Sequence, residues 1–159
     1  MKFRVGQGFD VHAFAENREL WLGGILIPSD KGLLGHSDAD VLIHAICDAL
    51  LGAAHMRDIG YHFPDTSNDF KNIDSKILLK GTIKLIKSKG YSVGNIDSII
   101  CAQAPKLSPY IEQMEECLSK VMEIDREQIS IKATTTEKLG FVGRKEGIAA
   151  YATVLINKE

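Results

Sequence analysis

Apolar and polar positions along the chain follow two periods, which predict five strands and three helices. Alternation of period two, or a short apolar run, indicates strands at residues 3–12, 20–27, 95–103, 128–135 and 147–156. Apolar positions at helical spacing indicate helices at residues 37–54, 74–89 and 108–122. This order predicts an α+β fold, with a mixed β-sheet and helices packed on one face, in a single domain spanning residues 1–159.

Local signals predict where two of the helices begin. Ser37 followed by Asp40 resembles a capping box with Asp in place of Glu, so the first helix is predicted to start at Ser37 and to run to about Ala54. Ser108 followed by Pro109 is typical of an N-cap residue before the first helical position.

The composition and the charge of the chain argue against a nucleic-acid-binding protein and against a membrane-spanning protein. The chain has 159 residues, 45% of them hydrophobic, with a net charge of −2, so we expect no nucleic-acid partner. The longest apolar stretch, at residues 41–54, is interrupted by His44 and Asp48, so no membrane span is expected. Three widely spaced cysteines without a CxxC pair indicate buried, reduced thiols, and the N-terminus lacks the apolar core of a leader peptide. A cytoplasmic protein is therefore expected.

The end of the first predicted strand carries a candidate metal site. Period two puts Asp10 and His12 on one face and turns Val11 the other way, toward the core. If the helix containing His44 packs over this strand end, two imidazoles and a carboxylate converge, which suits a catalytic zinc with one open position. The same set matches the facial triad of non-haem iron oxygenases. The alternative is an ordinary strand end beside a polar helix face.

Residues 132–144 (KATTTEKLGFVGR) form a candidate phosphate loop. Hydroxyl and backbone N–H donors at Thr134–Thr136 could cradle a phosphate, and Glu137 could hold a hard cation such as Mg²⁺. The alternative is that the threonines are strand formers before a glycine turn.

Three further segments have a functional and an ordinary interpretation. Residues 102–107 (AQAPKL) leave backbone groups accessible for a flat base, or form a plain strand-to-helix turn. Residues 36–40 (HSDAD) offer a helix N-terminus to a phosphate, or simply cap the helix. Residues 55–72 form a long irregular segment, and loops of that length inside a compact domain are more often functional or mobile than idle.

The order of these motifs is more specific than any one of them. The motifs GFDVH, HSDAD with His44, DIGYHFPDT, AQAPKL and ATTTEKLGFVGR follow one another along nearly the whole chain. In this order they resemble the 2-C-methyl-D-erythritol 2,4-cyclodiphosphate synthase family. The resemblance implies an enzyme of the non-mevalonate isoprenoid pathway that converts 4-diphosphocytidyl-2-C-methyl-D-erythritol 2-phosphate into the cyclic diphosphate and CMP, a phosphorus–oxygen lyase.

The resemblance also implies roles for individual residues. It implies zinc ligands at Asp10, His12 and His44 and a second cation, Mg²⁺ or Mn²⁺, held by Glu137 with the substrate diphosphate. It implies that His36 and Thr135 stabilise the transition state. The residues implied to contact substrate are Asp10, His12, His36, Ser37, Asp58, Ile59, Gly60, Phe63, Pro64, Asp65, Thr66, Ser67, Ala102, Gln103, Ala104, Pro105, Lys106, Leu107, Thr134, Thr135, Thr136, Glu137, Phe141 and Arg144.

The family resemblance further implies a homotrimer with active sites between subunits, in which the sheet face away from the helices lies in the trimer core. Three departures from the family pattern are present: Ala39 in place of the usual Gly, Ser67 where Asp is frequent, and Val142 in place of a more polar residue. Rival functions are an iron oxygenase, separable by its metal, and an inactive trimeric nucleotide-binding or scaffold protein, separable by turnover. Asp40 or Asp48 is expected to orient His44 or the loops nearby.

Overall fold

The computed structural model describes residues 2–158, and in this part of the chain all five predicted strand regions and all three predicted helices are present. The strands are β1 (Phe3–Ala15), β2 (Leu20–Leu22), β3 (Ile25–Ile27), β4 (Gly32–Leu33), β5 (Tyr91–Cys101), β6 (Ile129–Thr134) and β7 (Gly147–Lys158). The helices are α1 (Val41–Ala53), α2 (Ile59–His62), α3 (Ser75–Ser88), α4 (Ile111–Met122) and α5 (Gly140–Gly143). The short helices α2 and α5 lie in segments for which no helix was predicted.

The strands confirm the predicted mixed sheet. Five of them are ordered β4-β1-β7-β5-β6, and β2 and β3 form a separate hairpin. β5 and β6 run parallel, whereas β7 runs antiparallel to both of its neighbours. The last strand, β7, therefore lies between β1 and β5, so β1 is not a neighbour of β5 or β6.

The helices cover one face of this sheet. α1 packs on β1 and β7, α4 packs on β6, and α3 packs against both α1 and α4. The backbones of α1 and β1 are in direct contact at Gly6. A Cβ atom added there would lie only 1.9 Å from the carbonyl oxygen of Ala49. The core between helices and sheet is built from the apolar residues of α1 and the alternate, inward-facing residues of β5 and β7.

The opposite face of β1 is apolar and exposed. Val5 is 68% exposed, Phe9 46% and Val11 42%, and Tyr151 of β7 stacks against Phe9 with ring centroids 4.9 Å apart. The prediction that Val11 points into the core is therefore wrong for this chain by itself. The inward positions of β1 include Gly6, Gly8, Asp10 and His12, and at the two glycines α1 lies too close for any side chain.

Three predicted boundaries also differ. The strand predicted at 20–27 is interrupted, because Gly23 and Gly24 adopt positive φ and turn the chain into the β2–β3 hairpin. α1 begins later than predicted, since Asp40 rather than Ser37 caps it by accepting a hydrogen bond from the Ile43 N–H at 3.1 Å. Ser108 begins a 3-10 turn before α4 and provides no side-chain cap.

Within residues 2–158, no helix combines the length and the apolar character needed to cross a bilayer.

Candidate active site

Asp10, His12 and His44 converge where the end of β1 meets the first turn of α1. His12 Nε2 lies 2.9 Å from Asp10 Oδ2, and His44 Nδ1 lies 3.1 Å from the same oxygen. The two imidazole nitrogens are 3.3 Å apart. The prediction that these three side chains meet is confirmed, and all three are partly buried.

The pKa values of Asp10 and His12 are shifted by their surroundings. Burial tends to raise the pKa of Asp10, but hydrogen bonds and charge from His12 and His44 outweigh it and lower the pKa to about 2. Burial tends to lower the pKa of His12, but the hydrogen bond and charge of Asp10, aided by the Leu34 carbonyl, raise it above its ordinary value. Asp10 therefore carries a negative charge that attracts a cation to this point.

The donor set fits a tetrahedral metal. Zinc–ligand bonds of about 2.0–2.1 Å at tetrahedral angles place ligand atoms about 3.3 Å apart, close to the 2.9–3.3 Å separations observed here. His12 Nδ1 lies 2.8 Å from the carbonyl oxygen of Leu34. Because a carbonyl oxygen only accepts, Nδ1 of His12 carries the hydrogen of this bond. In neutral His12 the lone pair is then on Nε2, which faces Asp10 and could bind a cation there.

The triad opens into a cavity of about 280 Å³. This cavity confirms that the triad, the HSDAD motif and the long loop are neighbours, as the motif order implied. Its lining consists of Asp10, His12, His36, Ser37, His44, Asp48, Ile59, Gly60, Phe63, Asp65, Phe70, Ile73 and Leu78. Phe70, Ile73 and Leu78 were not predicted, because apolar residues after a polar loop give no sign in the sequence that they face a cavity.

The segment that carries His36 and Ser37 is held by Arg18. The guanidinium of Arg18 donates to the carbonyl oxygens of Leu33 at 3.0 Å and Ser37 at 2.9 Å. His36 Nε2 lies 3.1 Å from the carbonyl oxygen of Ser67, which links this segment to the long loop. Sequence reasoning missed Arg18, since an arginine in a polar turn between two strands has no distinctive signal.

The long loop is organised by two aspartates. Asp58 caps α2 by accepting from the Tyr61 N–H at 3.2 Å, and Asp48 of α1 accepts from the Ile59 N–H at 2.7 Å. The predicted contact residues Pro64 and Thr66 lie in the same loop and are exposed, as is Asp65. The side chain of Ser67, a position where relatives often have Asp, accepts from the Asp69 N–H at 3.3 Å, so it has a local capping role.

The prediction that Asp40 or Asp48 orients His44 or the loops nearby is confirmed for the loops, because Asp48 accepts from the Ile59 N–H of the long loop. Among the described residues, neither carboxylate is hydrogen-bonded to the His44 ring. Asp40 is fully buried and accepts from the N–H groups of Gly23 at 3.0 Å and Gly24 at 2.7 Å, in addition to capping α1. Asp48 holds the start of α2, as described above. The nearest polar partner of His44 Nε2 is instead Ser75 Oγ of α3, at 2.9 Å. A serine 31 residues away along the chain gave no sequence signal for this contact.

The second group of predicted residues lies at the ends of β5 and β6. A cavity of about 370 Å³ is lined by Ala102, Gln103, Pro105, Lys106, Leu107, Ser108, Ala133, Thr134 and Thr135. The two loops are connected, because the Lys138 N–H donates to Gln103 Oε1 at 3.1 Å. Ala104 follows Gln103, and the Ala104–Pro105 peptide bond is cis. The structure therefore brings the predicted base-binding and phosphate-binding segments together.

Glu137 and the threonines before it form an exposed polar loop. Glu137 has a positive φ of 53°, and its N–H donates to Thr135 Oγ1 at 3.3 Å. Thr136 Oγ1 donates to the carbonyl oxygen of Leu139 at 2.7 Å, which closes the turn. This arrangement leaves the Glu137 carboxylate at the surface, where it is accessible to a cation.

Phe141 and Arg144 lie in and just after α5, apart from the described linings of both cavities. Phe141 is 41% exposed, and Arg144 is paired with Glu146 at 3.0 Å. Within residues 2–158, neither side chain forms a hydrogen bond or ion pair with another predicted site residue.

The two halves of the predicted site lie at the same end of the sheet but on different strands. Asp10 pairs with Ala150, Ala150 with Ile100, and Ile100 with Ala133, so these four residues form one row across β1, β7, β5 and β6. Three strand spacings of about 4.8 Å separate Asp10 from Ala133 by roughly 14 Å. The triad and the threonine loop are thus too far apart to contact the same atom within one chain.

The sequence and the fold match one family. Residues 3–157 match the YgbB family. A 2-C-methyl-D-erythritol 2,4-cyclodiphosphate synthase from Bacteroides fragilis is 70% identical over 158 residues, covering 99% of each chain. The bifunctional IspDF from Campylobacter jejuni has a TM-score of 0.95 at 45% identity, covering 99% of this chain, which spans 42% of that protein. The CDP complex of IspF from Plasmodium falciparum has a TM-score of 0.87 at 38% identity, covering 99% of this chain and 97% of the other.

These matches cover nearly the whole chain, in sequence and in three dimensions, and they confirm the resemblance that the motif order indicated. The chain therefore belongs to the YgbB family, the family of the 2-C-methyl-D-erythritol 2,4-cyclodiphosphate synthases.

Proposed function

We propose that this protein converts 4-diphosphocytidyl-2-C-methyl-D-erythritol 2-phosphate into 2-C-methyl-D-erythritol 2,4-cyclodiphosphate and CMP. The observation that carries the proposal is the convergence of Asp10, His12 and His44 on one point beside the cavity that the long loop lines. The name shared by relatives that are 70% identical over the full chain supports it, as does the CDP complex of the Plasmodium falciparum protein. Residues 1–159 would act as a single domain.

The reaction is an intramolecular phosphoryl transfer. An oxygen of the 2-phosphate forms a bond to the β-phosphorus of the diphosphate, the bond from that phosphorus to the CMP oxygen breaks, and CMP departs with the electron pair. The enzyme would thus act as a phosphorus–oxygen lyase. The nucleophile belongs to the substrate, so the protein's part is to position the two phosphates and to neutralise their charge.

Two kinds of cation fit the donors of this chain. Asp10, His12 and His44 would hold Zn²⁺, and Glu137 together with the substrate diphosphate would hold Mg²⁺ or Mn²⁺, which prefer oxygen ligands. When bound, these cations supply Lewis acidity and charge neutralisation at the phosphate oxygens.

The neighbouring polar side chains would position the reacting groups. His36 lines the cavity beside the triad, and its ring is anchored to the Ser67 carbonyl, so it can present a fixed donor to a phosphate oxygen. Thr135 Oγ1 lies 3.4 Å from Glu137 Oε1, which places a hydroxyl next to the carboxylate proposed to hold the second cation. We assign both residues to stabilisation of charge in the transition state.

The remaining residues would hold the two ends of the substrate. The erythritol end would lie against Asp58–Gly60 and Phe63–Ser67, the loop that lines the cavity of the triad. The cytidine and its phosphate would lie in the second cavity, between residues 102–107 and Thr134–Thr136. Phe141 and Arg144 would complete the wall of the site where a neighbouring chain approaches.

A homotrimer with shared sites would join these two halves. The exposed apolar face of β1 and β7 is a surface of the kind that marks a protein–protein contact. A closed ring built with this face inward would use a heterologous contact, which brings the triad edge of one copy to the threonine-loop edge of the next. The separation of roughly 14 Å within one chain supports this arrangement, because each half then has its partner on another copy.

The function implies a small-molecule substrate and a place in the non-mevalonate isoprenoid pathway. We propose a cytoplasmic location, because three cysteines without a disulfide suit a reducing compartment.

A direct assay tests the proposed function. The protein, loaded with Zn²⁺ and supplied with Mg²⁺, is incubated with the cytidylyl substrate, and CMP and the cyclic diphosphate are followed by chromatography and ³¹P NMR. Both products are expected to appear in equal amounts, and a His44→Ala variant is expected to form neither. Absence of CMP from folded, metal-loaded protein would refute the proposal.

A further inference from the structure

The ring of His44 is held from behind by two hydroxyl groups. Its Nδ1 faces Asp10, whereas its Nε2 lies 2.9 Å from Ser75 Oγ and 3.2 Å from Ser37 Oγ. A hydroxyl can donate or accept, so these distances alone leave the tautomer of His44 open. The tautomer matters, because only an unprotonated Nδ1 can bind a cation beside Asp10.

Asp38 decides which way the Ser75 hydroxyl points. Ser75 Oγ donates to Asp38 Oδ1, and the Ser75 N–H donates to Asp38 Oδ2 at 2.9 Å. The Asp40 N–H adds a third hydrogen bond to the same carboxylate, at 3.1 Å. An ionised carboxylate accepts only, so it takes the hydroxyl hydrogen and leaves a lone pair of Ser75 Oγ facing His44.

We infer that Asp38 and Ser75 are positioning residues that hold His44 in the Nε2–H tautomer and so prepare Nδ1 to bind the metal. The hydrogen bonds run in one direction, from His44 Nε2–H to Ser75 Oγ and from Ser75 Oγ–H to Asp38. Ser75 is fully buried at the first position of α3, so its hydroxyl is shielded from water that would otherwise compete for it. The inference rests on the metal site of the proposed function.

Removal of the relay should weaken metal binding. Ser75→Ala removes the nearer of the two hydroxyls behind His44 and keeps a residue that suits a helix. Asp38→Asn keeps the shape but can donate an amide hydrogen to Ser75 Oγ, which frees the Ser75 hydroxyl to donate to His44 and favours the wrong tautomer. Loss of a group behind a metal-ligating histidine commonly weakens metal affinity about 10–100-fold. We expect that loss in zinc affinity from either variant.

The experiment has two readouts that do not depend on turnover. In metal-free protein, long-range ¹H–¹⁵N NMR of the imidazoles reports the tautomer of His44, for which the Asp10 carboxylate at 3.1 Å favours Nδ1–H and the relay favours Nε2–H. The share of the Nε2–H tautomer is expected to be lower in Ser75→Ala than in the unmodified protein. Zinc affinity is then measured by competition with a fluorescent chelator for the two single variants and the double variant. Because both residues act through one chain of hydrogen bonds, the double variant should bind zinc no more weakly than Ser75→Ala.

Thr82→Val is the matched control. It removes another buried hydroxyl from α3, about two turns beyond Ser75, and is expected to leave zinc affinity unchanged. The same tautomer balance of His44 in the unmodified protein and in Ser75→Ala, wild-type zinc affinity in Ser75→Ala, or fully additive losses in the double variant would overturn the inference. None of these outcomes depends on CMP release, so failure of the proposed function would be detected separately.

Discussion

Gly8 of β1 lies directly beneath Ala45 of α1, so close that a Cβ atom on Gly8 would be 1.9 Å from the Ala45 carbonyl oxygen. No side chain fits between the two backbones at this point. The contact is adjacent to the candidate metal-binding triad, since Asp10 is two residues along the strand and His44 precedes Ala45. The approach of helix to strand therefore sets the distance between Asp10 and His44.

Gly8→Ala should separate the triad. The added methyl group must push α1 away from β1, and overpacking of this kind costs about 1–3 kcal/mol of unfolding free energy. Zinc affinity is expected to fall at least tenfold, because the nitrogen of His44 moves away from the Asp10 carboxylate. Calorimetry and chelator competition measure the two effects. Gly52→Ala is the control, since a Cβ there meets nothing within 4 Å, and it should leave zinc affinity intact. Equal zinc affinity in the two variants would contradict the role given to Gly8.

Asp40→Ala should be strongly destabilising. The buried carboxylate accepts from the N–H groups of Gly23, Gly24 and Ile43, all of which would lose their partner. Each buried unsatisfied group costs about 1–3 kcal/mol, so we expect a loss of at least about 3 kcal/mol in urea unfolding. Asp74→Ala removes the partly exposed N-cap of α3 and should cost only about 1 kcal/mol. Similar losses for the two caps would show that the β2–β3 turn does not depend on Asp40.

Glu137→Gln should separate the roles of the two proposed cations. The substitution keeps the size of the side chain and removes the charge that attracts a hard cation. The Mg²⁺ concentration that gives half-maximal activity is expected to rise about tenfold or more, with zinc content unchanged. Glu112→Gln, at an exposed position of α4, is the control and should leave both quantities unchanged. A loss of activity at every Mg²⁺ concentration with an unaltered midpoint would assign Glu137 another role.

Mixed oligomers should recover activity from two inactive variants. His44→Ala disables the triad and Thr135→Ala disables the threonine loop, and each variant by itself is expected to be inactive. When the two are unfolded and refolded together, about one quarter of sites shared between random neighbours receive both intact halves. Activity near that fraction of wild type is expected. Verified mixed trimers without activity, or a monomeric wild-type protein in light scattering, would refute the shared site.

Cys47 should be the least reactive thiol of the native protein. Burial in α1 raises the pKa of the Cys47 thiol to about 12, so almost no thiolate forms near neutral pH. Cys117 is only half-buried. Cys101 is half-buried as well. Iodoacetamide at about pH 8 should therefore modify Cys101 and Cys117 before Cys47, and mass spectrometry should detect Cys47 labelling only after unfolding. Labelling of Cys47 as fast as Cys117 would show that the core opens more readily than its packing indicates.

Local patterns in the sequence were sufficient for the five main strand regions and the three long helices, and they made Asp10, His12 and His44 a candidate triad. Period two along β1 places Asp10 and His12 on one face, and a helix that follows at short range can supply His44. The sheet was correctly predicted to be mixed, because the order of strands and helices allows both parallel and antiparallel neighbours. The family motifs indicated both halves of the proposed site, since their order along the chain is itself local information.

The tertiary structure decided which face of β1 is covered. The alternation of Phe3, Val5, Phe9 and Val11 correctly indicated a strand, but these side chains face away from the helices of the same chain. The reason is the close approach of α1, which leaves no room for a side chain at Gly6 and Gly8 on the inward side. Alternation of period two identifies a strand whose two faces differ. It does not show which of the two faces the helices of the same chain will cover.

Contacts between residues that are distant in the chain could not be predicted from the sequence either. Three such contacts join elements that meet only after folding. They place Ser75 behind His44, Arg18 against the Leu33–Ser37 segment, and Asp40 beside the Gly23–Gly24 turn. The insertion of β7 between β1 and β5 likewise separates the triad from the threonine loop. The sequence by itself determined which residues carry groups able to bind a metal or a phosphate, because it specifies residue type and local spacing. Only the packing of distant segments determined which of those residues touch, because that depends on how the whole chain buries its apolar surface.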